Sequence, residues 1–425
     1  MQENEAARIN DAAEELTETD EETAVAQTNT AIPQATQPSA PPASTTTPTT
    51  SLIVWVPPDF IGINDTAKQL FTDQLLTYDA AHPETTIVLE QKTVVGQGGI
   101  LNYLRTGRNV APSILPDLIV LPADQVATAA SDELIYPLDA FLSETAVTAK
   151  LFPAAAAMAA QNEQTYAFPI AITNLTHIAY NPAAITQTLP ADWDTLFSST
   201  ENSFLFPAAG RQGALLTLQL YLAAGGTLTN EAGQPDLQLT PLIDALEKLS
   251  NGRNNGSIPL QSSNLATFDE TWQAYRAGSS KMILTTASQF LSQRTDQTLA
   301  AAAVPGITTP LIPLVNGWVI AITSPDLNRQ ALAADLLMTL NDTTFLGEWT
   351  QAANLLPASE TVLTLWPQDD PYTTFVSSEL MRAQPMPISD SSKIMLALGN
   401  AVFDVISLSK SPALAAEEAL LAIQQ

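Results

Sequence analysis

Few side chains in this sequence could do covalent or metal chemistry. The 425 residues contain two histidines, His82 and His177, and no cysteine, so thiolate nucleophiles, thiolate metal sites and disulfides are unavailable. His82 stands beside Pro83, and His177 lies inside an apolar run. Neither has partners at metal-ligand spacing, and they read as a surface and a packed histidine. No G-x-S-x-G elbow, Walker loop or dinucleotide fingerprint occurs, and Gly96, Gly98 and Gly99 read as a turn. Asp and Glu total 44; at that density neighbours such as Asp369-Asp370 pair by chance, which is weak support for glycosidase chemistry. An acidic loop holding calcium stays open, without EF-hand spacing. No cofactor is expected. What is left are polar groups in the loops between strands and helices.

Loops of that kind need strands and helices to aim them. LIVWV from Leu52 is a short β-rich run ended by Pro57-Pro58. Ala67, Leu70, Phe71, Leu75 and Tyr78 recur at helical spacing before Pro83, and TTIVLEQ reads as the next strand. A helix over Ile100 to Arg105, the strand PDLIVLP and a helix over Ala123 to Leu134 continue a β-α-β alternation. It resumes with SFLFP, helices over Ala214 to Ala224 and Phe268 to Arg276, and the strand KMILTT. A further helix is predicted with Thr240 as N-cap, Pro241 at its first position and a stop at Asn251-Gly252. In such α/β sheets ligands bind at the carboxyl ends of strands. The loops Pro57-Pro58-Asp59-Phe60 and Ala123-Asp124-Gln125 fall there, and Asp124 suits helix capping and ligand contact equally.

The formal charge of -28 argues against nucleic acid, which needs a basic footprint. Residues 1 to 50 hold nine acidic residues and one Arg, and pass into a Pro/Thr/Ser/Ala tract too poor in large apolar residues to pack. They are expected to be a disordered tether. No stretch reaches the roughly 18 apolar residues of a membrane span, and the start lacks the pattern of a signal peptide. The chain is therefore expected to be a processed or trimmed form.

Several segments, in order, resemble one family. PDLIVLP followed by ELIYPLDAFL, then YAFPIAITNLTHIAYNPA, LPADWDTLF, WQAYRAGSSKMILTTASQF, VPGITTPLIPLVNGWVIAITSP and LLPAS are similar to successive segments of the extracellular solute-binding proteins of ATP-driven sugar importers. Maltose-binding protein belongs to that group, and the resemblance covers roughly Ser51 to Gln425. It implies an α/β, two-lobed periplasmic-binding-protein-like fold of type II, each lobe a mostly parallel sheet flanked by helices, with ligand in the cleft between them. Residues 51–169 plus 319–355 would form one lobe and 170–318 plus 356–425 the other. Crossings are implied near Ile170, Gly317 and Leu355.

By position, the family's contact regions fall on Asp59 and Phe60, Asp124 and Gln125, Thr173 and Asn174, Ser288 and Gln289, and Gly317 and Trp318. Where maltose-binding protein carries stacking tryptophans, near Ser288 and in Ile394 to Leu396, this sequence has small or aliphatic residues, which disfavours a long oligosaccharide platform. Trp318 fits either a single stacking surface or plain packing. Trp55 and Trp193 are assigned to the core, Tyr180 to a strand end and Arg211 to the surface.

The implied partners are a small sugar and the membrane permease subunits of the importer, with the binding protein a monomer. The implied location is the outer face of the cell membrane, with the native form lipid-anchored or tethered, although the anchoring Cys of relatives is absent. Rival readings are an α/β carbohydrate-active enzyme, which would need a nucleophile-base pair or paired carboxylates in one cleft, and a receptor or scaffold that kept the fold without transport. Brief proteolysis is expected to leave a stable core beginning near Ser51; protection of the first 48 or so residues would contradict the tether.

Overall fold

The structure is a computed structural model and describes residues 50–61, 64–96, 98–141, 150–198, 202–294, 298–389 and 392–424. The expected tether lies outside the described residues apart from its last position.

Thirteen strands are present among the described residues: β1 (Thr50–Val56), β2 (Thr85–Gln91), β3 (Leu118–Pro122), β4 (Ala160–Gln161), β5 (Gln164–Thr165), β6 (Phe168–Thr173), β7 (Thr176–Tyr180), β8 (Phe204–Leu205), β9 (Met282–Thr286), β10 (Ala300–Ala302), β11 (Leu314–Ile322), β12 (Leu356–Pro357) and β13 (Gln384–Pro385). A large sheet runs β12-β6-β11-β3-β1-β2, with β13 also on β11, and a smaller one runs β10-β7-β9-β8. β4 and β5 form a separate hairpin.

The apolar runs read from the sequence become strands buried on both faces. β3 keeps Leu118, Ile119, Val120 and Leu121 buried. Its partner β1 is pinned at the start by Asp117, which is 1% exposed. That carboxylate accepts from the Ile53 backbone N–H at 2.8 Å and from Arg329 Nε and Nη2, both at 2.6 Å. A buried carboxylate is tolerable only when its lone pairs are filled in this way.

α1 (Asp65–Ala81) opens at Asn64, whose side chain accepts from Ala67 N, and buries Ala67, Phe71, Leu75 and Tyr78. It stops where Pro83 follows His82, whose ring stacks on Tyr78 at 4.1 Å. Further helices used below are α2 (Pro153–Ala159), α3 (Arg211–Ala223), α4 (Leu239–Asn254), α5 (Phe268–Arg276), α6 (Ala287–Gln293), α7 (Leu327–Leu340), α8 (Thr343–Ala352), α9 (Pro371–Arg382), α10 (Lys393–Ile406) and α11 (Pro412–Gln424).

Three expectations are corrected. The helix after β3 ends at Ser131 rather than Leu134, because Glu133 turns left-handed (φ 54°) and Leu134 N–H returns to the Ala129 carbonyl at 2.9 Å, closing the last turn. α4 begins at Leu239 behind Gln238 and runs through Gly252 to Asn254. Gly252 does not end the helix; it makes room for Ile258, whose Cδ1 would lie 2.8 Å from an added Cβ. The sheets are also less parallel than expected. β2-β1-β3 are parallel, but β11 pairs antiparallel with β3 and β6, and β7 pairs antiparallel with β9 and β10. The physical reason is that β6, β7 and β11 carry the chain between sheets and must run against the strands beside them.

The chain leaves the large sheet at Thr173, turns through Asn174 in the left-handed region (φ 62°) and enters the small sheet at Thr176. It returns between β10 and β11. The segment near Leu355 does not cross, because β12 pairs with β6 inside the large sheet. The third passage follows β13, after which α10 and α11 pack on α3 and α4 beside the small sheet.

Behind the first crossing, His177 of β7 is fully buried between Phe290, Tyr372 and Phe375. The Ile178 carbonyl, 3.1 Å from Nδ1, can only accept, so Nδ1 carries the proton and Nε2 accepts from the Tyr372 hydroxyl at 3.1 Å. Both ring nitrogens are satisfied in the neutral form, and burial lowers the pKa to about 4. The unfolded chain takes up a proton near pH 6.5 and the folded one near 4. Stability from this group is therefore complete above pH 6.5 and falls with pH between 6.5 and 4, by about 3 kcal/mol at the lower end. In an NMR titration the His177 ring protons are expected to stay unshifted down to about pH 5; a midpoint near 6.5 would show the ring to be accessible.

Candidate functional site

Where the chain passes between the sheets, the carboxyl ends of β3, β6 and β9 and the openings of α3, α5, α6 and α10 meet around a cavity of about 580 Å³. It is the place predicted by the strand-end rule, and its walls come from both sheets.

The large-sheet wall consists of Pro122, Thr173, Asn174, Asn316, Gly317, Trp318 and Leu355. Its shape depends on how closely β11 approaches β6. An added Cβ at Gly317 would lie 2.5 Å from the Ala171 carbonyl oxygen, so only glycine permits this pairing. One residue on, the register shifts: Trp318 faces Ala171 but Val319 faces Pro169. The residue passed over is Ile170, next to Pro169, which has no N–H to give the ladder. Beside it, Asn316 is 8% exposed, and its Oδ1 accepts from the backbone N–H of Gly317 at 2.8 Å and of Asp124 at 3.3 Å. Those two donors fix the amide's orientation and leave Nδ2 on the cavity side. The Trp318 ring meets Phe60 edge-on at 5.8 Å, and Phe60 packs on Phe71 and Trp349.

The small-sheet wall is made of helix openings. Arg211, Gln212 and Leu215 come from α3, Phe268 from α5, Thr286, Ser288 and Gln289 from the β9–α6 junction, and Met395 from α10. Gln212 Oε1 accepts from the Phe268 backbone N–H at 2.6 Å, tying the starts of α3 and α5 together. Trp272 Nε1 donates to Thr285 Oγ1 at 2.8 Å and holds α5 against β9. Gln289 Oε1 is buried with no partner among the described residues.

Of the ten residues singled out in the sequence, Thr173, Asn174, Ser288, Gln289, Gly317 and Trp318 line this cavity together. Asp59 and Phe60 do not: Asp59 is exposed on the helical turn Pro58–Ile61, and Phe60 is wholly buried behind Trp318. Asp124 and Gln125 lie one turn past the lining residue Pro122, where Asp124 takes part through its backbone N–H to Asn316 while its Oδ1 is buried without a partner. Asn316, Gln212 and Phe268 were missed. The signal for Gln212 and Phe268 was the helix starts at Gly210 and Thr267, which show that α3 and α5 open here but not what they face. Among the described residues no group of three His, Asp or Glu could hold a metal ion, and no helix is long and apolar enough to cross a membrane.

An α/β fold with two sheets joined by crossing strands, and a polar cavity at the crossing, is the architecture of a protein that encloses a small molecule. The chain belongs to the bacterial extracellular solute-binding protein family, whose model matches residues 77–374. It is thus a binding protein rather than an enzyme, and its family places it outside the cytoplasm. A comparison with curated protein sequences gives no match.

Solved structures with the same fold include the sugar-binding protein MalE from the phytopathogen Xanthomonas citri, at TM-score 0.72 and 14% identity over 88% of this chain and 96% of that one. The cyclic alpha-maltosyl-1,6-maltose binding protein from Arthrobacter globiformis aligns at TM-score 0.70 and 15% identity, over 88% and 98%. The maltose/maltodextrin-binding domain MalE from Bdellovibrio bacteriovorus, bound to maltotriose, aligns at 0.61 and 18%, over 88% and 99%.

Because Gly317 is where β6 and β11 touch, Gly317→Ala is expected to lower stability by about 1–3 kcal/mol, read from the urea midpoint. Parent-like stability would mean the two strands can separate without cost.

Proposed function

We propose that this protein is the substrate-binding component of an ATP-driven importer, capturing a short saccharide between two closing lobes and delivering it to the membrane permease. The observation that carries the reading is the cavity at the crossing, about 580 Å³ and lined from both sheets, within the size range of small-molecule sites. A ligand there touches both halves at once. It therefore favours the closed arrangement by its differential contacts, and that arrangement is what a permease can distinguish from the empty protein. The structural neighbours bind maltose, maltotriose and a cyclic maltosyl-maltose, which supports a sugar.

In this reading Thr173, Asn174, Ser288, Gln289 and Gly317 border the ligand, and Trp318 offers one apolar face to it. Phe60 supports that ring from behind, and Asp124 orients Asn316. Trp318 is the more open of the two lining aromatics, Phe268 being 5% exposed, and with Ser288 and Met395 on the opposite wall the cavity fits a mono- or disaccharide better than a long chain. The protein acts as a monomer at the outer face of the membrane, held there by its N-terminal segment.

Small-angle scattering with saturating sugar from a thermal-shift screen is expected to show a smaller radius of gyration, and an unchanged profile would remove the closing cleft. The Gln289 side-chain oxygen has no partner within the described chain, so Gln289→Ala should weaken binding about 5- to 150-fold with little change in melting temperature. Trp318→Ala should cost more in affinity than in stability; the reverse, seen by calorimetric titration beside thermal melts, would assign that ring to packing alone.

A further inference from the structure

Cavity walls that take neutral sugars must both donate and accept, because each hydroxyl does both, and carboxylates are the strongest acceptors a protein has. Among the described residues this cavity has none. The sequence holds 44 acidic and 16 basic residues, yet the lining contains no Asp or Glu and one charged side chain, Arg211. Asp124, the acid joined to this wall, meets it through its backbone N–H.

Arg211 is exposed, and it is unusual among the described arginines. Arg105, Arg294, Arg329 and Arg382 are paired with carboxylates, and Arg108, Arg253 and Arg276 donate to carbonyl oxygens. No bond is made by the Arg211 guanidinium to any described residue. In so acidic a chain a free surface cation would ordinarily attract a carboxylate; here no carboxylate among the described residues pairs with it. It is the first residue of α3, whose N-cap, Gly210, has no side chain to fill the opening N–H groups. The positive end of a 13-residue helix and a free guanidinium thus share one edge of the cavity.

The facing wall repeats the pattern independently. Asn316 is more than nine-tenths buried, and its oxygen is taken by two backbone N–H groups, so the group it leaves toward the cavity is the Nδ2 donor. Gln212 likewise has its oxygen taken by Phe268 N–H. Two amides and an arginine all present N–H, while the acceptors left for hydroxyls are neutral: Gln289 Oε1, the Asn174 amide and the hydroxyls of Thr173 and Ser288.

We propose that the saccharide is anionic, bearing a carboxylate or a phosphate ester that Arg211 and the opening of α3 hold from one wall while Asn316 Nδ2 donates from the other. This rests on the sugar-binding reading above and narrows it. Arg211 supplies the fork of donors that matches a planar carboxylate or two phosphate oxygens; Trp318 and Gln289 serve the ring and its hydroxyls.

Calorimetric titration of the full chain with matched pairs tests the assignment: maltose against maltobionate, and glucose against glucuronate and glucose 1-phosphate. An anionic member is expected to bind at least about 10-fold tighter than its neutral partner, with affinity falling as salt is raised. Tighter binding of the acids identifies a carboxylate source, and of the phosphate a phosphate ester. In Arg211→Gln the ratio within each pair should fall toward unity, while Arg211→Lys keeps part of it. Neutral sugars binding as well as or better than the anions would overturn the proposal and leave the sugar-binding function standing. A preference that survives Arg211→Gln would overturn the role of Arg211. Binding of none of the sugars, neutral or charged, would remove the saccharide reading and this inference with it.

Discussion

Strand β11 has to lie against the backbone of β6 on one side and β3 on the other, and position 317 allows it only by having no side chain. An added Cβ there would come within 2.5 Å of the Ala171 carbonyl, a separation no rearrangement of side chains can relieve because both partners are main chain. From this contact follow the placement of Asn316 and Trp318 on the cavity, the position of Asn174 at the crossing and the joining of the two sheets, since β6 and β11 are the strands through which the chain leaves and re-enters the large sheet. The shift beside Pro169 completes the fit: Ile170 is passed over next to a residue that has no N–H to give the ladder.

The distribution of polar groups follows the same economy. Asp117 is almost wholly buried, and its two oxygens are met by Arg329 and the Ile53 N–H. Arg294 and Asp370 pair in a half-buried position over Phe290 and Tyr372. His177 is held neutral by one donor and one acceptor. In each case the group is buried only because its partners come with it. The cavity differs from these pairs, since its donors face space that nothing in the described chain fills, and the free energy of satisfying them is left for a ligand. That contrast, more than the size of the opening, separates a binding site from a packing defect.

Much of the fold was legible in the sequence because its signals are local. LIVWV, PDLIVLP and KMILTT are too short and too β-branched to be helices, and Asn64 with the spacing of Ala67, Phe71, Leu75 and Tyr78 marks a helix start and face. The errors arose where a local signal served a distant partner. Gly252 reads as a helix stop, but its missing side chain accommodates Ile258. Leu356–Pro357 was expected to cross between lobes and instead lengthens the large sheet beside β6, a pairing of residues some 185 positions apart that no local pattern records.

The same division runs through the site. By itself the sequence determined the class of secondary structure, the absence of thiol chemistry, the excess of negative charge and, through the order of its segments, the family to which the chain belongs. The six of the ten singled-out residues that share the cavity came through the resemblance, whereas the loops read from strand ends, Asp59-Phe60 and Asp124-Gln125, do not line it. Only the tertiary structure decided that Phe60 supports Trp318 from the core, that Asp59 points to solvent, and that Arg211 stands without a partner among the described residues at the edge of a wall rich in donors. A side chain's type is written at its own position, but whether it meets a carboxylate, a ring or open space depends on which distant backbone is folded against it.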